Sequence, residues 1–439
     1  MSLLVIISIT LLLYFTLLKN VNAKDYTFSV DETSYGNGIF KLDVYYQSVE
    51  SLITSVVDSL IISKDDNIYE IFDQLCSKYD IDDSNCLPVL NHCKKHYHDL
   101  YGADKKHVFA IVSYPYLETV GGIVVSHYLI DRLNYYFSST DGKPIAFHMP
   151  ITYDSDSKLL ELKSDISNYN TPKLTRLQFI DDENLITIYP EIIPGNYYNK
   201  RILIRWILYF LRLENKTIED EYQYNSNDYI ACYSEGICNQ FDSTWHRYPL
   251  RVIDLNWNMF RTIDNSRIRD IDVVYFKPGT RKSLWFDNRG NNINLDYKNY
   301  EYMLKHSYAL MNKTLILMNT KLKQQDRLDL LSRAKYFISL DPATFRSVEA
   351  AMVGCISIVY PVPGVSKTEW ASVSYAPEYL RYGIAYGFED IDHAKNTMDM
   401  VLPNLREQDN RTKDILSSFI KDVKQHFNLD PDFLKEKLL

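Results

Sequence analysis

The sequence is poor in glycine and lacks several motifs that would identify a chemistry directly. Only 14 of the 439 residues are glycine, against 36 tyrosines. No GxSxG sequence occurs, which disfavours a serine hydrolase of the α/β type, and no GxxxxGK[ST] loop occurs, which excludes a P-loop nucleotide site. Without a CxxC pair, a structural zinc site is not predicted. The formal net charge of −9 provides no electrostatic basis for binding nucleic acid.

The composition is that of a globular protein. Apolar residues make up 46% and charged residues 24% of the chain, and its length suffices for two domains with additional segments. Asp-x-Asp pairs occur, but they are expected by chance at this acid content, and Asp270 and Asp272 precede an apolar strand rather than following one. We therefore predict no metal cofactor.

The N-terminal segment has the layout of a signal peptide. Leu3–Leu18 is apolar apart from three hydroxyl residues, and small residues suited to cleavage follow in Val21–Ala23, although a charged leading region is missing. A spanning helix needs about 20 residues, so the alternative is a short uncleaved anchor. Residues 1–23 thus predict entry into the secretory pathway (ER or Golgi lumen, or secretion), with membrane contact only if this segment is retained.

Cysteine usage fits that compartment. Cys232 and Cys238 are close enough in sequence to close a small disulfide loop. Cys355 begins an apolar run, which favours a free, buried thiol.

Residues 24–104 differ from the rest because no alternation of strand and helix is visible. Val44–Ile62 and Ile68–Tyr79 have apolar residues at helical spacing. These patterns predict a small helical stem or cap region.

From residue 105 onward, strand-like runs alternate with helical patterns, which indicates an α/β fold with parallel sheets. We predict two Rossmann-like domains, over 105–260 and 261–439. In the first, a strand at His107–Pro115 leads through Gly121 and Gly122 into a helix at Ile123–Leu133; paired glycines there allow close approach of a ligand or a packed element. A strand at Leu185–Tyr189 and a helix at about 200–213 follow.

The most informative segment lies in the second domain. The apolar run Tyr336–Leu340 ends in Asp341, a helical segment follows, and a second β-branched run begins after Gly354. Asp341 and Thr344 are expected at the ligand-binding edge of a parallel sheet. Glu349 lies about two helical turns further along. Two carboxylates placed in this way can hold the hydroxyls of a sugar or ribose.

This pattern, carboxylate-x7-Glu-Ala followed by glycine and a strand, resembles the donor-binding motif of retaining, group 1-like glycosyltransferases with the GT-B fold. The resemblance implies two Rossmann-like domains facing across a cleft that binds a nucleotide-diphosphate sugar. It assigns Glu349 to the ribose and Asp341 to the transferred sugar, with Asp341 standing where glutamate is more common. The alternative is any β-α-β unit with an incidental carboxylate at each end.

The resemblance extends to three further sites. It places Gly121 and Gly122 beside the acceptor and the donor's sugar, with Thr344 also in the donor site. It places the pyrophosphate near the loop after the strand at 272–276, where the basic residues are Lys277, Arg281 and Lys282; a solvated charged turn is the alternative. His148, at a predicted strand end, is a candidate catalytic residue or a structural histidine.

The function implied is transfer of a sugar from a nucleotide sugar to a glycan or glycoprotein acceptor, without a metal and with retention of configuration. The C-terminal helix, predicted at Thr412–Phe427, commonly crosses back to the first domain in such folds. One alternative is a non-catalytic two-lobed binding protein, in which the chain crosses between lobes two or three times. A sugar-nucleotide epimerase of the same fold is a second alternative, disfavoured by the N-terminal segment.

Overall fold

The structure, a computed structural model, divides the chain into two compact units. One contains residues 1–106 and 175–182, and the other contains 107–174 and 183–439. The described residues are 9–11, 26–35, 39–48, 54–63, 68–78, 87, 90–91, 107–117, 120–138, 142–153, 159–161, 169–174, 176–181, 184–196, 198–209, 211, 217–253, 268–277, 284–286, 292–294, 297–310, 313–342, 344–373, 381–429 and 435–436.

Strands and helices are numbered along the chain. The strands are β1 Ile9–Leu11, β2 Tyr26–Tyr35, β3 Ile39–Ser48, β4 Thr54–Ser63, β5 Val108–Ser113, β6 Phe137–Ser138, β7 Ala146–Tyr153, β8 Leu159–Glu161, β9 Leu185–Pro190, β10 Ile202–Ile207, β11 Tyr229–Cys232, β12 Arg247–Pro249, β13 Ile271–Phe276, β14 Leu284–Phe286, β15 Asn292–Asn294, β16 Leu315–Leu317, β17 Ala334–Ser339, β18 Ile356–Val359, β19 Ile384–Tyr386 and β20 Lys435–Glu436. The α-helices are α1 Ile68–Lys78, α2 Gly121–Tyr136, α3 Arg176–Asp181, α4 Ile218–Tyr222, α5 Glu235–Cys238, α6 Tyr297–Leu310, α7 Gln324–Arg333, α8 Arg346–Met352, α9 Lys367–Val373, α10 Ile391–Asn396, α11 Val401–Asn410 and α12 Thr412–His426.

The described residues of the first unit include an antiparallel sheet and the helices α1 and α3. Strands β1 to β4 pair in chain order, and α1 packs against α3. The helix predicted over Ile68–Tyr79 is confirmed, but the helix predicted over Val44–Ile62 is wrong, because β3 and β4 occupy that segment. Thr54–Ser63 is rich in Val, Ile and Thr, which lose side-chain freedom in a helix and pack well on a pleated sheet.

The second unit begins with a sheet of six parallel strands, edged by the antiparallel strand β8. Its order is β12-β11-β10-β9-β5-β7-β8. Counted along the chain, the parallel strands run 2-1-3-4-5-6, a doubly wound order. The helix predicted over 200–213 is wrong, since β10 lies there with all six residues buried. A strand covered on both faces is a continuous apolar run, which periodicity cannot distinguish from a buried helix.

A second sheet follows with the same topology. Its five strands are all parallel, in the order β16-β13-β17-β18-β19, or 2-1-3-4-5 along the chain. The strand, loop, helix and strand predicted around Asp341 are confirmed as β17, α8 and β18. The predicted α/β class with two Rossmann-like parallel sheets is thereby confirmed.

Residues of the two parallel sheets pack into a common apolar cluster. One apolar cluster includes Ile207 from β10 and Val359 from β18. Helix α12 returns to the first sheet, where Leu416 and Phe419 are fully buried in its core, and the hydroxyl of Tyr229 donates to the Asp422 carboxylate at 2.7 Å. This return confirms the predicted course of the C-terminal helix.

The cysteine predictions also hold. Cys232 and Cys238 form a disulfide, and Cys355 is a buried free thiol whose pKa is raised to about 12 by burial. Within the described ranges, no helix combines the length and apolar character needed to cross a bilayer.

Candidate functional site

A cavity of about 590 Å³ in the second unit is lined by residues from both parallel sheets. From the first sheet come Ser113, at the end of β5, and Glu191, directly after β9. From the second come Phe276, at the end of β13, and the segment after β17 that includes Pro342 and Thr344. The cavity therefore lies at the carboxyl ends of strands in both sheets.

In each sheet, the strands that end at the cavity flank the point at which the strand order reverses. In the first sheet β5 and β9 are neighbours, with β7 on the other side of β5, so the strand order reverses between β5 and β9. The second sheet reverses in the same way between β13 and β17. Ligands of open α/β sheets bind at such points of reversal. Two sheets thus direct their expected binding edges into one cavity.

Gly121 and Gly122 begin helix α2 in the cavity wall. The preceding Val120 provides no side-chain cap, and the first turn contains no acidic residue. The first amides of a helix have no partner within the helix and carry partial positive charge. A methyl group at Gly121 would meet no atom within 4 Å, whereas at Gly122 it would lie 3.4 Å from the Leu208 side chain. Packing alone does not require glycine at position 121.

Glu349 lies in the opposite wall, where Arg327 holds both of its carboxylate oxygens. Arg327 Nε donates to Oε2 and Nη2 to Oε1, each at 2.7 Å, and Gln324 Nε2 donates to Oε1 at 3.3 Å. The side chains of Arg327 and Glu349 are 6% and 3% exposed, and both residues line the cavity. The ion pair with Arg327 gives this carboxylate a structural role. Its predicted contact with ribose stays a prediction.

Arg346 and Ser347 place unsatisfied polar atoms beside this ion pair. Arg346 Nη2 donates to the Thr320 carbonyl at 3.2 Å, and its guanidinium lies 4.0 Å from the Phe276 ring centre. Its Nη1 and the Ser347 hydroxyl are buried without a hydrogen-bond partner among the described residues. Burial lowers the pKa of Arg346, as does nearby Arg327. Buried polar groups are normally bonded, so these atoms suit an anionic ligand.

The loop between β17 and α8 carries Thr344 and Asp341. Thr344 lines the cavity, but Asp341 does not; the next residue, Pro342, does. The amide of Asp341 donates to Ser339 Oγ at 3.1 Å, and that hydroxyl donates to the Asp341 carbonyl at 2.7 Å. The Trp370 indole donates to the Pro342 carbonyl at 2.9 Å. The loop is therefore fixed at both positions.

Of the three basic residues predicted to bind the pyrophosphate, the structure describes only Lys277. Lys277 does not line the cavity and instead pairs with Glu301 at 2.5 Å. Burial alone would raise the pKa of Glu301, but hydrogen bonds from Lys277, Lys305 and Tyr275 outweigh it and lower the pKa to about 2. Arg281 and Lys282 lie outside the described residues.

His148 is fully buried in β7 and does not line the cavity. Its Nε2 lies 2.9 Å from the hydroxyl of Ser113, and its ring centre is 4.3 Å from that of His127. Ser113 does line the cavity. The histidine therefore connects to the cavity through Ser113, and its catalytic role stays a prediction.

Glu191 lines the cavity but was not predicted as a site residue. Its Oε2 accepts a hydrogen bond from the amide of Leu208 at 3.1 Å, and burial raises its pKa to about 7. Glu191 follows β9 directly, and Asp341 follows β17 after one intervening residue. A carboxylate next to the end of a parallel strand was thus the available signal, used for one sheet and not for the other.

No three His, Cys, Asp or Glu side chains in the described parts of the chain come together as a metal site. Catalysis without a metal accordingly stays a prediction. The sequence matches no protein-family model, and it matches no curated protein.

Proposed function

We propose that this protein is a glycosyltransferase of GT-B architecture, which moves a sugar from a nucleotide-diphosphate sugar to a hydroxyl of a glycan or glycoprotein. The observation that carries the proposal is the shared cavity at the reversal points of two parallel sheets. Glycosyl transfer needs a donor and an acceptor side by side, and a cavity with one sheet edge on each side suits that need.

The volume and chemistry of the cavity fit such a donor. About 590 Å³ lies within the range of roughly 300–1,000 Å³ typical of small-molecule sites. The wall offers aromatic and aliphatic surface, including Tyr209, Phe345 and Trp370, with a few polar groups between them. Such a surface can contact a base and a sugar while the polar groups fix their orientation.

The diphosphate is assigned to Arg346. Guanidinium groups bind phosphate oxygens through paired hydrogen bonds, and Arg346 has a buried nitrogen without a hydrogen-bond partner among the described residues. The positively polarised start of α2, at Gly121 and Gly122, faces the same cavity. These groups would stabilise the departing diphosphate, so the proposal includes no metal cofactor.

The remaining assignments follow the family resemblance. Glu349 would hold the ribose with the free lone pairs of its carboxylate, and Thr344 would contact the donor. Asp341, beside the cavity-lining Pro342, would approach the transferred sugar. Action in the secretory pathway is part of the proposal and derives from the N-terminal residues alone.

A non-catalytic two-lobed binding protein is the alternative. In such proteins the chain passes between lobes two or three times before the sheets are complete. Here every strand of the first parallel sheet, up to β12, precedes every strand of the second. That order favours the transferase.

Ligand binding tests the proposal directly. Calorimetric titration of the full protein with UDP, GDP, ADP and CMP should show one nucleoside diphosphate that binds. That nucleotide should also raise the temperature of thermal unfolding. At a nucleotide concentration of 100 times the Kd, binding adds about 2.7 kcal/mol to the stability of the folded protein.

Two arginine variants localise the binding. Arg346→Gln should weaken binding of that nucleotide about 10- to 100-fold, because hydrogen bonds to charged groups contribute roughly 1.5–3 kcal/mol. Arg333→Gln removes an arginine that is 43% exposed and paired with Asp270 on the surface, and it should leave the affinity unchanged. Absence of binding by all four nucleotides, or equal losses in both variants, would refute the proposed function.

A further inference from the structure

Glu191 provides a fixed carboxyl group in the cavity wall, directly after β9. The Tyr224 hydroxyl donates to its backbone carbonyl at 3.3 Å, and Arg205 donates to the carbonyl of Gly195 at 2.5 Å in the segment that follows. The side chain of Glu191 accepts hydrogen bonds from two backbone amides, its own and that of Leu208, the latter at 3.1 Å to Oε2. These contacts hold the carboxyl group in one place.

This carboxyl group lies beside the start of α2. Leu208, whose amide binds it, also contacts that start, because a methyl group at Gly122 would lie 3.4 Å from the Leu208 side chain. Gly121, Gly122 and Glu191 line the same cavity. The proposed function assigns the start of α2 to the diphosphate, so an ionised Glu191 would place a negative charge next to a bound anion.

No basic side chain offsets that charge. Within the described ranges, no ion pair involves Glu191, and the buried Arg205 pairs with Asp228 at 2.9 Å. Burial outweighs the two amide hydrogen bonds and raises the pKa of Glu191 to about 7. Near neutral pH the group therefore exchanges between a carboxylate, which only accepts hydrogen bonds, and a carboxylic acid, which also donates one.

Resting on the proposed function, we infer that Glu191 binds the diphosphate of the donor as a carboxylic acid, through a hydrogen bond from its O–H to a phosphate oxygen. The anion favours the protonated form, so donor binding takes up a proton from solvent, and release of the nucleotide returns it. Glu191 neither attacks the sugar nor deprotonates the acceptor. It stabilises the departing diphosphate and agrees with the retention implied by the family resemblance.

The other ionisable groups around Glu191 on the first sheet do not titrate near neutral pH. Tyr224 packs against it, and burial, with a smaller contribution from Glu191, raises the pKa of that tyrosine. Tyrosine is ordinarily neutral below about pH 10, and arginine is ordinarily charged below about pH 12. The remaining groups in this part of the cavity lining are Tyr114, Tyr209, Tyr233 and Arg251.

Two further sets of charged or titratable groups border the cavity. Arg346 and the Arg327–Glu349 ion pair lie at the edge of the second sheet. His148 lies behind Ser113, with Nε2 at 2.9 Å from the serine hydroxyl. The experiment must therefore separate a proton bound by Glu191 from one bound by this histidine.

The test measures donor affinity as a function of pH. UDP-glucose, UDP-galactose, UDP-N-acetylglucosamine, GDP-mannose and ADP-glucose are the probes, because a nucleotide sugar esterifies both ends of its diphosphate and leaves no phosphate that titrates near neutral pH. In calorimetric titration of the full protein, the Kd of the donor that binds should rise above about pH 7, by up to about tenfold per pH unit for one linked proton. Titrations at about pH 7.5 in buffers of different ionisation enthalpy should show net proton uptake.

A matched pair of variants identifies the group. Glu191→Gln keeps the shape of the side chain, and its amide N–H can donate as the acid does at every pH. This variant should bind the donor with a Kd independent of pH, and at about pH 8.5 it should bind about tenfold more tightly than the wild type. Glu219→Gln, an exposed glutamate in α4, should keep the pH dependence of the wild type. A gain in affinity would not result from a damaged fold.

Three results would overturn the inference while leaving the proposed function intact. These are a wild-type Kd within about twofold between pH 6.5 and 8.5, Glu191→Gln binding more weakly than the wild type at the higher pH, and a pH dependence that persists in Glu191→Gln. Failure of every nucleotide sugar to bind at any pH would instead remove the proposed function itself. Proton uptake is measured on the wild type alone, so its absence would refute the inference even if the variant does not fold.

Discussion

Truncating Glu349 should destabilise the protein before it reveals anything about ligand binding. Two Arg327 nitrogens lie 2.7 Å from the two carboxylate oxygens, and the side chains are 6% and 3% exposed. Glu349→Ala leaves a guanidinium buried and uncompensated. Removing one partner of such a pair costs about 3–5 kcal/mol, a large part of the roughly 5–15 kcal/mol that stabilises a typical protein.

Urea denaturation followed by tryptophan fluorescence measures this cost in the relevant unit. All five tryptophans belong to the second unit, so the signal reports its unfolding alone. The double variant Arg327→Met/Glu349→Leu replaces the pair with apolar side chains of similar size. It should recover most of the lost stability, because a buried ion pair contributes little compared with a well-packed apolar pair.

The outcome determines how ligand binding is tested. A loss below about 1 kcal/mol in Glu349→Ala, or a double variant no more stable than the single one, would show that the pair is not the buried unit described above. If the cost is as large as expected, lost nucleotide binding in Glu349→Ala would not by itself demonstrate a ribose contact. Arg346→Gln is then the cleaner probe of the site.

Three further predictions concern single positions. Gly121→Ala should leave stability unchanged or raise it by up to about 1 kcal/mol while weakening nucleotide or acceptor binding in calorimetry; the control Gly354→Ala should destabilise in urea, because φ is +72° there and a methyl group would lie 2.9 Å from an arginine. Burial and nearby His246 lower the pKa of His426, although the Asp422 carboxylate opposes this. The unfolded chain therefore binds more protons than the folded chain, so stability should fall as the pH drops below about 6.5. A His426→Gln variant should show a flatter dependence of the urea midpoint on pH. Iodoacetamide should label buried Cys355 only upon unfolding, and rapid labelling of the native protein, followed by mass spectrometry, would contradict the burial.

Sequence patterns predicted elements well where length and periodicity agreed. The C-terminal helix, predicted over Thr412–Phe427, is observed as α12 over Thr412–His426. Prediction failed at Ile202–Ile207 and in Thr54–Ser63, where apolar spacing suited either element and pairing with the preceding strand decided the outcome. Local pattern contains no information about such partners.

The candidate site was predicted in part for the same reason. Strand ends and helix starts brought Gly121, Gly122, Thr344 and Glu349 to the lining of one cavity, as the α/β pattern predicted. The pairing of Glu349 with an arginine 22 residues earlier depends on how two helices pack, which spacing does not reveal. Arg346 was in the decisive motif, but its unsatisfied nitrogen is visible only once burial is known.

The return of helix α12 has a consequence for biosynthesis. Leu416 and Phe419 fill the core of a sheet whose strands lie between Val108 and Pro249. As the ribosome releases the chain, that sheet is synthesised long before the helix that covers it. The apolar face that α12 covers therefore stays exposed while the whole second sheet is synthesised. This exposure favours binding by chaperones over independent folding of the first half. A fragment ending near residue 253 should accordingly aggregate, and co-expression of the 401–429 segment is the natural means of rescuing it.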